Sequence, residues 1–251
     1  MNRGPMLKPT RPLSVLALSG LILGLAAIVA IVASGIGYRL GWWHFLVGLR
    51  VSEWAAYGAA VALVLSVLGL VQTRPSAARR GLVVAALGLI VALVPVATAL
   101  QWEYASRTTP PINDISTDTA DAPVFWDMPN PTDYPGAKTA ALQRAAYPDL
   151  APLRLAMPPE QAFAQALAVA KEKDWTIVAS VPAEGRLEAT TSSLLYGFTD
   201  EVIVRVKAAE DGALVDVRSR SRLGRVDRGV NAKRIRGYLA ALRDRTADAR
   251  R

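Results

Sequence analysis

Three long stretches without a single Asp, Glu, Lys or Arg dominate the first hundred residues: 12–38, 54–73 and 81–102. Each reaches the roughly 20 residues that an α-helix needs to cross about 30 Å of hydrocarbon. Lipid offers no hydrogen bonds to the backbone, so each stretch is expected to be helical. Pro95 sits inside the third stretch and removes one backbone donor near its outer end. The first stretch follows basic residues and carries Val32-Ala33-Ser34, a small-residue site of the kind found in cleaved signals. Its apolar core far exceeds the usual length of about 7–15 residues, and two more spans follow, so it reads as a retained span.

Orientation comes from the basic residues. Arg3, Lys8 and Arg11 precede the first span, and Arg74, Arg79 and Arg80 crowd the short loop between the second and third. Those two segments are expected on the cytoplasmic side. The intervening loop, 39–53, holds Arg39, Arg50 and Glu53. Tyr38, Trp42, Trp43, Trp54, Tyr57, Trp102 and Tyr104 fall at the opposite face, where amphipathic rings suit the headgroup layer. The loop Gly41-Trp42-Trp43-His44-Phe45-Leu46-Val47 is apolar enough to lie flat in that interface. Three spans with the N-terminus inside place residues 105–251 outside the cytoplasm. In a bacterial cell that means a multi-pass inner-membrane protein with a periplasmic C-terminal domain.

No span carries an ionisable residue in its interior, which speaks for an anchor over a pump or ion-coupled transporter. Gly20-x-x-x-Gly24 and Gly37-x-x-x-Gly41 are small-x-x-x-small patterns, read as close packing within one chain. Residues 1–104 hold eight basic and two acidic side chains, so +6 of the net charge of +8 belongs to this topology signal. The remainder carries only +2, too little for a nucleic-acid footprint. With no cysteine, thiol catalysis, disulfides and cysteine metal sites are excluded.

Residues 105–157 are rich in Pro, Asp and Thr, as in Asp127-Met128-Pro129-Asn130-Pro131, and read as an extended lead-in. A turn or two of helix is expected near 137–146, and Val124, Phe125 and Trp126 are placed to dock the segment. A soluble core then spans 158–246. Its first helix opens at Pro158-Pro159-Glu160 and repeats Phe163, Ala166, Leu167 and Ala170 on one face. Four strands follow, at 175–180, 186–191, 200–208 and 213–221. Val202, Val204 and Val206 alternate with Glu201, Ile203, Arg205 and Lys207, the pattern of a half-buried strand. Val215 and Val217 likewise oppose Asp216, Arg218 and Arg220. A last helix over 229–246 aligns Ile235, Tyr238, Leu239 and Leu242. The fold class is α+β: a three-helix transmembrane unit at 1–104, then a soluble domain with a four-stranded antiparallel sheet and helices on one face.

Several runs in this half carry a family resemblance. They are Asp114-Ile115-Ser116-Thr117-Asp118, Gly185-Arg186-Leu187-Glu188-Ala189-Thr190 and Gly197-Phe198-Thr199-Asp200-Glu201-Val202-Ile203-Val204-Arg205. Val215-Asp216-Val217-Arg218-Ser219 and the segment from Ser221-Arg222-Leu223-Gly224-Arg225 to Ile235 complete the set. Together, over about 112–242, the chain resembles the DUF1499 family of uncharacterised domains. The resemblance implies a domain often tethered to membranes and implies no activity.

The chemistry-bearing cluster is Arg218, Arg220 and Arg222 on one strand, Arg205 on its neighbour, and a loop with Arg225 and Asn231 entering a helix N-terminus. Guanidinium forks and free helical N–H groups suit phosphate or carboxylate, so an anion or phosphate-ligand site is one reading. The competing reading is structural, with the arginines paired to Glu188, Asp200 or Glu201 and with Asp227 or Asn231 capping the helix. Asp200 and Asp227 are the candidates for carboxylate acid–base chemistry or for such pairing. Asp114, Asp118 and Asp121 read as turn formers ahead of a cation site. The only histidine, His44, lies in the interfacial loop, so the soluble half has no histidine triad and no zinc site. No cofactor or metal is expected, no catalytic residue is assigned, and a non-enzyme is favoured. By elimination the chain reads as a membrane-anchored envelope protein whose exported domain is a binding or accessory module. The expected partners are the bilayer and either an envelope protein or an anionic ligand. Oligomeric state stays open.

Overall fold

The computed structural model describes residues 11–129 and 133–248. Arg3 and Lys8 of the topology signal, and Asn130-Pro131-Thr132 of the Pro-rich segment, lie outside the described residues. The chain forms two compact units, 1–103 and 104–251.

The first unit is built on α1 (Val15–Arg39), α2 (Phe45–Thr73) and α3 (Leu82–Thr108). All three are long and apolar enough to cross a membrane. At 25, 29 and 27 residues they are about 40 Å long, more than the hydrocarbon needs. All three outrun their uncharged stretches, α1 only by Arg39. α2 starts at Phe45, so the last three residues of the expected flat interfacial loop, Phe45, Leu46 and Val47, form the first turn of this helix. α3 runs on through Glu103 and Arg107, with Pro95 inside an unbroken helix.

Small residues let these helices approach. A Cβ on Gly88 would lie 2.9 Å from the Leu21 backbone nitrogen, and one on Gly69 would lie 2.8 Å from the Ala17 Cα. Gly20 and Gly88 both abut the Ser66 hydroxyl. Gly20-x-x-x-Gly24 therefore packs within the chain, as expected. The second small-residue pattern does something else: the Trp43 ring folds back onto Gly37, and its indole N–H donates to the Ser34 carbonyl at 3.0 Å. At the other end of the unit, Ser14 N–H donates to the Arg80 carbonyl at 2.9 Å, and Arg80 N–H to Pro12 at 3.0 Å. The segment before α1 and the loop between α2 and α3 thus lie at the same end, as the basic residues require.

The second unit is a sheet with helices. Its elements are β1 (Asp114–Ser116), α4 (Ala137–Ala146), β2 (Leu153–Leu155), α5 (Pro159–Glu172), β3 (Thr176–Val181), β4 (Arg186–Ser192), β5 (Thr199–Ala209), β6 (Gly212–Ser221) and α6 (Val230–Asp248). The sheet has six strands, where four are expected from alternation. The order is β1-β6-β5-β4-β3, all neighbours antiparallel, with β2 also pairing β6. The two added strands come from the segment read as extended lead-in. Each has three residues, too few for a pattern of period two to register.

One face of the sheet packs on α5 and α6. Leu187, Val202, Val204, Val206, Val215 and Val217 meet Phe163, Ala166, Ile235, Tyr238 and Leu242 in a single apolar core. Tyr238 stacks on Trp175 at 4.9 Å and donates its hydroxyl to the Ala166 carbonyl at 2.8 Å. Both helices show the stripes expected of them.

Candidate functional site

The other face of the sheet was expected to meet solvent on the strength of its charged residues. It is buried. Glu201 and Ile203 on β5, and Asp216, Arg218 and Arg220 on β6, are all closed off from water. The cover is the segment 117–129, which crosses the face as a strap. Phe125 of the strap forms a small apolar cluster with Met128 and Ile203. Its ring also lies 5.0 Å from the Arg218 guanidinium and 4.4 Å from that of Arg220. Val124 and Trp126, the other two expected anchors, point outward and are exposed.

The strap is fastened by ionic groups. Arg218, with no exposed surface, grips Asp114 on β1 with two bonds of 2.9 and 2.8 Å and donates a third to the Pro123 carbonyl. Glu188, also fully buried, accepts the backbone N–H groups of Trp126 at 2.7 Å and Asp127 at 3.1 Å. Arg186 pairs with both Glu188 and Asp127. Arg205 bonds Asp216 at 2.8 Å and the Asp121 carbonyl at 2.6 Å, while Lys207 holds the Asp121 carboxylate. Charge removed from water at this depth is tolerable only with such partners.

Each residue proposed for an anion site can now be placed. Arg218 and Arg205 are committed to strap and sheet. Arg220 and Arg222 each take one oxygen of Glu201, at 2.7 and 2.9 Å. Asn231 is buried and saturated: its amide donates to the Asn113 carbonyl and the Ser221 hydroxyl, and its oxygen accepts from Ser219 and Arg234. Arg225 alone is exposed without a partner among the described residues. The structure therefore brings together Arg205, Arg218 and Arg220 as a pairing network and leaves Arg222 and Arg225 at the rim.

The carboxylates are equally occupied. Asp227 accepts the N–H groups of Gly229 at 3.0 Å and Asn231 at 2.6 Å, satisfying donors at the start of α6. Burial pushes its carboxyl above the usual range, the two amide bonds pull it back, and the nearby charge of Asp200 adds to the rise. Asp200 pairs with Arg234 at 2.5 Å. Asp216 is also raised, chiefly by burial, against the pull of Arg205. Asp118 accepts the N–H groups of Ala120 and Asp121, a turn-forming role. Among the described residues no three His, Asp or Glu side chains are grouped to hold a metal ion.

The segment that carries this arrangement is also the one that places the chain among known proteins. The model of a family described as proteins of unknown function, DUF1499, matches residues 114–242, just over half of the chain. The chain belongs to the DUF1499 family. No curated protein matches it significantly. The matched segment opens at Asp114, the carboxylate that grips Arg218, and closes at Leu242, the last member of the apolar stripe on α6. Strap, arginine network, α5 and the part of α6 up to Leu242 thus fall inside the DUF1499 segment. Sequence reasoning found the arginines and Phe125 as an anchor, and missed that the segment covers the charged face of the sheet. The available signal was Ile203, an apolar residue amid the charged ones of β5, matched by Phe125 in a Pro-rich run.

Proposed function

We propose that this DUF1499 chain is a membrane-anchored envelope protein of the bacterial inner membrane. Its sheet domain is held outside the cytoplasm and works by binding, as an accessory module. One observation carries the reading: the buried ionic groups of the domain are spent on one another and on the strap. Arg218 on Asp114, Arg220 on Glu201, Arg205 on Asp216 and Arg186 on Glu188 are structural pairs. Asp200 and Asp227, the candidates for acid–base work, are occupied by Arg234 and by backbone amides. What the domain offers a partner is its surface.

The placement is supported by Arg74, Arg79 and Arg80 beside the segment that enters α1, at one end of a three-helix unit. Alkaline phosphatase and a fluorescent protein, each fused after Arg251, test it. The phosphatase fusion is expected to be active and the fluorescent fusion dark; the reverse would overturn the exported placement. In vivo crosslinking from exposed Trp126 and Arg225 is expected to yield a reproducible envelope adduct, whereas catalytic turnover by the purified chain would overturn the binding role.

A further inference from the structure

Two loops meet at one end of the sheet. The β4–β5 connection spans 193–198 and the β6–α6 connection spans 222–229. The bases of the two loops adjoin: Arg222 N–H donates to the carbonyl of Thr199, the first residue of β5, at 3.1 Å. The first loop, Ser193-Leu194-Leu195-Tyr196-Gly197-Phe198, has no charge at all. Leu194 at its tip is 95% exposed, while Tyr196 and Phe198 stack behind it at 5.0 Å. The second loop exposes Leu223 and Val226 among Arg222, Arg225 and Arg228. Its one acid, Asp227, is turned inward onto the backbone. Every exposed charge on these two loops is therefore positive, and every exposed large side chain between the charges is apolar.

The chain enters the domain at this same end. Asn113 donates to the Gly224 carbonyl at 2.7 Å, and Asp227 N–H donates to the Ile112 carbonyl at 3.2 Å. Five residues, 109–113, link the last residue of α3 to the first of β1, a reach of about 20 Å when extended.

We propose that this loop end is a docking surface for anionic phospholipid: Leu194 and Leu223 enter the headgroup–acyl boundary, and Arg222, Arg225 and Arg228 meet phosphates. The combination of an exposed apolar tip and a basic collar is what interfacial binding uses, since apolar burial and attraction to anionic lipid add. This deepens the binding role proposed above by naming the ligand class. It does not depend on which side of the membrane the domain occupies.

The test is hydrogen exchange on the full chain in nanodiscs, once in phosphatidylcholine and once in an equimolar mixture with phosphatidylglycerol. Amides of 193–198 and 222–228 are expected to exchange more slowly in the anionic discs, with the difference collapsing at high salt. Arg225→Gln is expected to cut that added protection about five-fold, the factor equivalent to about 1 kcal/mol per basic residue at an anionic surface. Leu194→Asn is expected to speed exchange of the two loops in both lipids. Neither change touches the ion pairs of the sheet, so exchange of β5 and β6 is expected to stay constant and reports an intact fold. Equal exchange in the two lipids, or protection indifferent to both substitutions, overturns the proposal. Nanodiscs expose both bilayer faces, so that failure leaves the reporter-fusion result untouched, and the converse also holds.

Discussion

Arg218 is the largest side chain by volume among those buried completely in the described residues. Its burial is possible because Asp114 meets the guanidinium fork with two oxygens and the Phe125 ring covers it. Removing one partner of such a pair leaves a naked charge in the interior, at a cost of about 3–5 kcal/mol. Arg218→Met is expected to lower the local stability of β6 by that amount, read by amide exchange of the full chain in detergent. Adding Asp114→Leu is expected to restore part of the loss, because no charge then remains buried. If the double change is as damaging as the two single losses summed, the pair is not the source of the effect. A second residue-scale prediction concerns Asp149, whose carboxyl sits below the usual range because Arg236 donates two hydrogen bonds to it. A depressed carboxyl stabilises the fold above the ordinary aspartate value of 3.8 and loses that contribution as pH falls through and below it. Both side chains are substantially exposed, so the contribution is under about 1 kcal/mol. Asp149→Asn is expected to flatten the acid end of the stability–pH curve slightly and to change neutral stability little.

Elements show where sequence patterns carry information and where they stop. The four longer strands and the two core helices follow alternation and helical spacing closely, because Val202, Val204 and Val206 or Ile235, Tyr238 and Leu242 must share a face to share a core. Glu201, Asp216, Arg218 and Arg220 on β5 and β6 obey the same alternation and yet are closed off from water. Their burial depends on Asp114, which lies 104 positions before Arg218, and on a strap whose prolines mark it only as irregular. Nothing local encodes that contact. α4 illustrates the point again: it was legible as a short helix, but not its task. Gln143 on α4 accepts from the Ser116 N–H at 3.0 Å and donates to the Ser116 carbonyl at 2.6 Å, covering the free edge of β1. Phe125→Ala removes a buried ring and its two cationic contacts. The expected cost is about 3–5 kcal/mol, concentrated in faster exchange of amides in 117–129 while the core of β5 and α6 stays protected. Uniform acceleration across the whole domain would instead mean that the strap and the core unfold as one unit.

At the scale of the whole molecule, the first unit and the second obey different rules, and the chain's orientation links them. The charge asymmetry is carried by few residues. Arg11 reaches the Pro75 carbonyl at 3.0 Å, and Leu13 pairs with Arg80, so the basic flank of α1 and the Arg74–Arg79–Arg80 loop form one positive end. The aromatic residues Trp42, Trp54 and Tyr57 mark the other end of α1 and α2. Topology in short-looped proteins follows the side with more Lys and Arg, counted near the span ends. Replacing Arg74, Arg79 and Arg80 with Gln, together with Trp42→Lys in the exposed turn before α2, erases most of that difference. Packing of the three helices is untouched, because none of these side chains lies in the small-residue contacts around Ser66, Gly20 and Gly88. The expected result is a mixed population: phosphatase activity of the Arg251 fusion falls and fluorescence of its counterpart rises from background. Unchanged reporters would mean that orientation is set by folding of the second unit or by the segment before residue 11, and not by this loop.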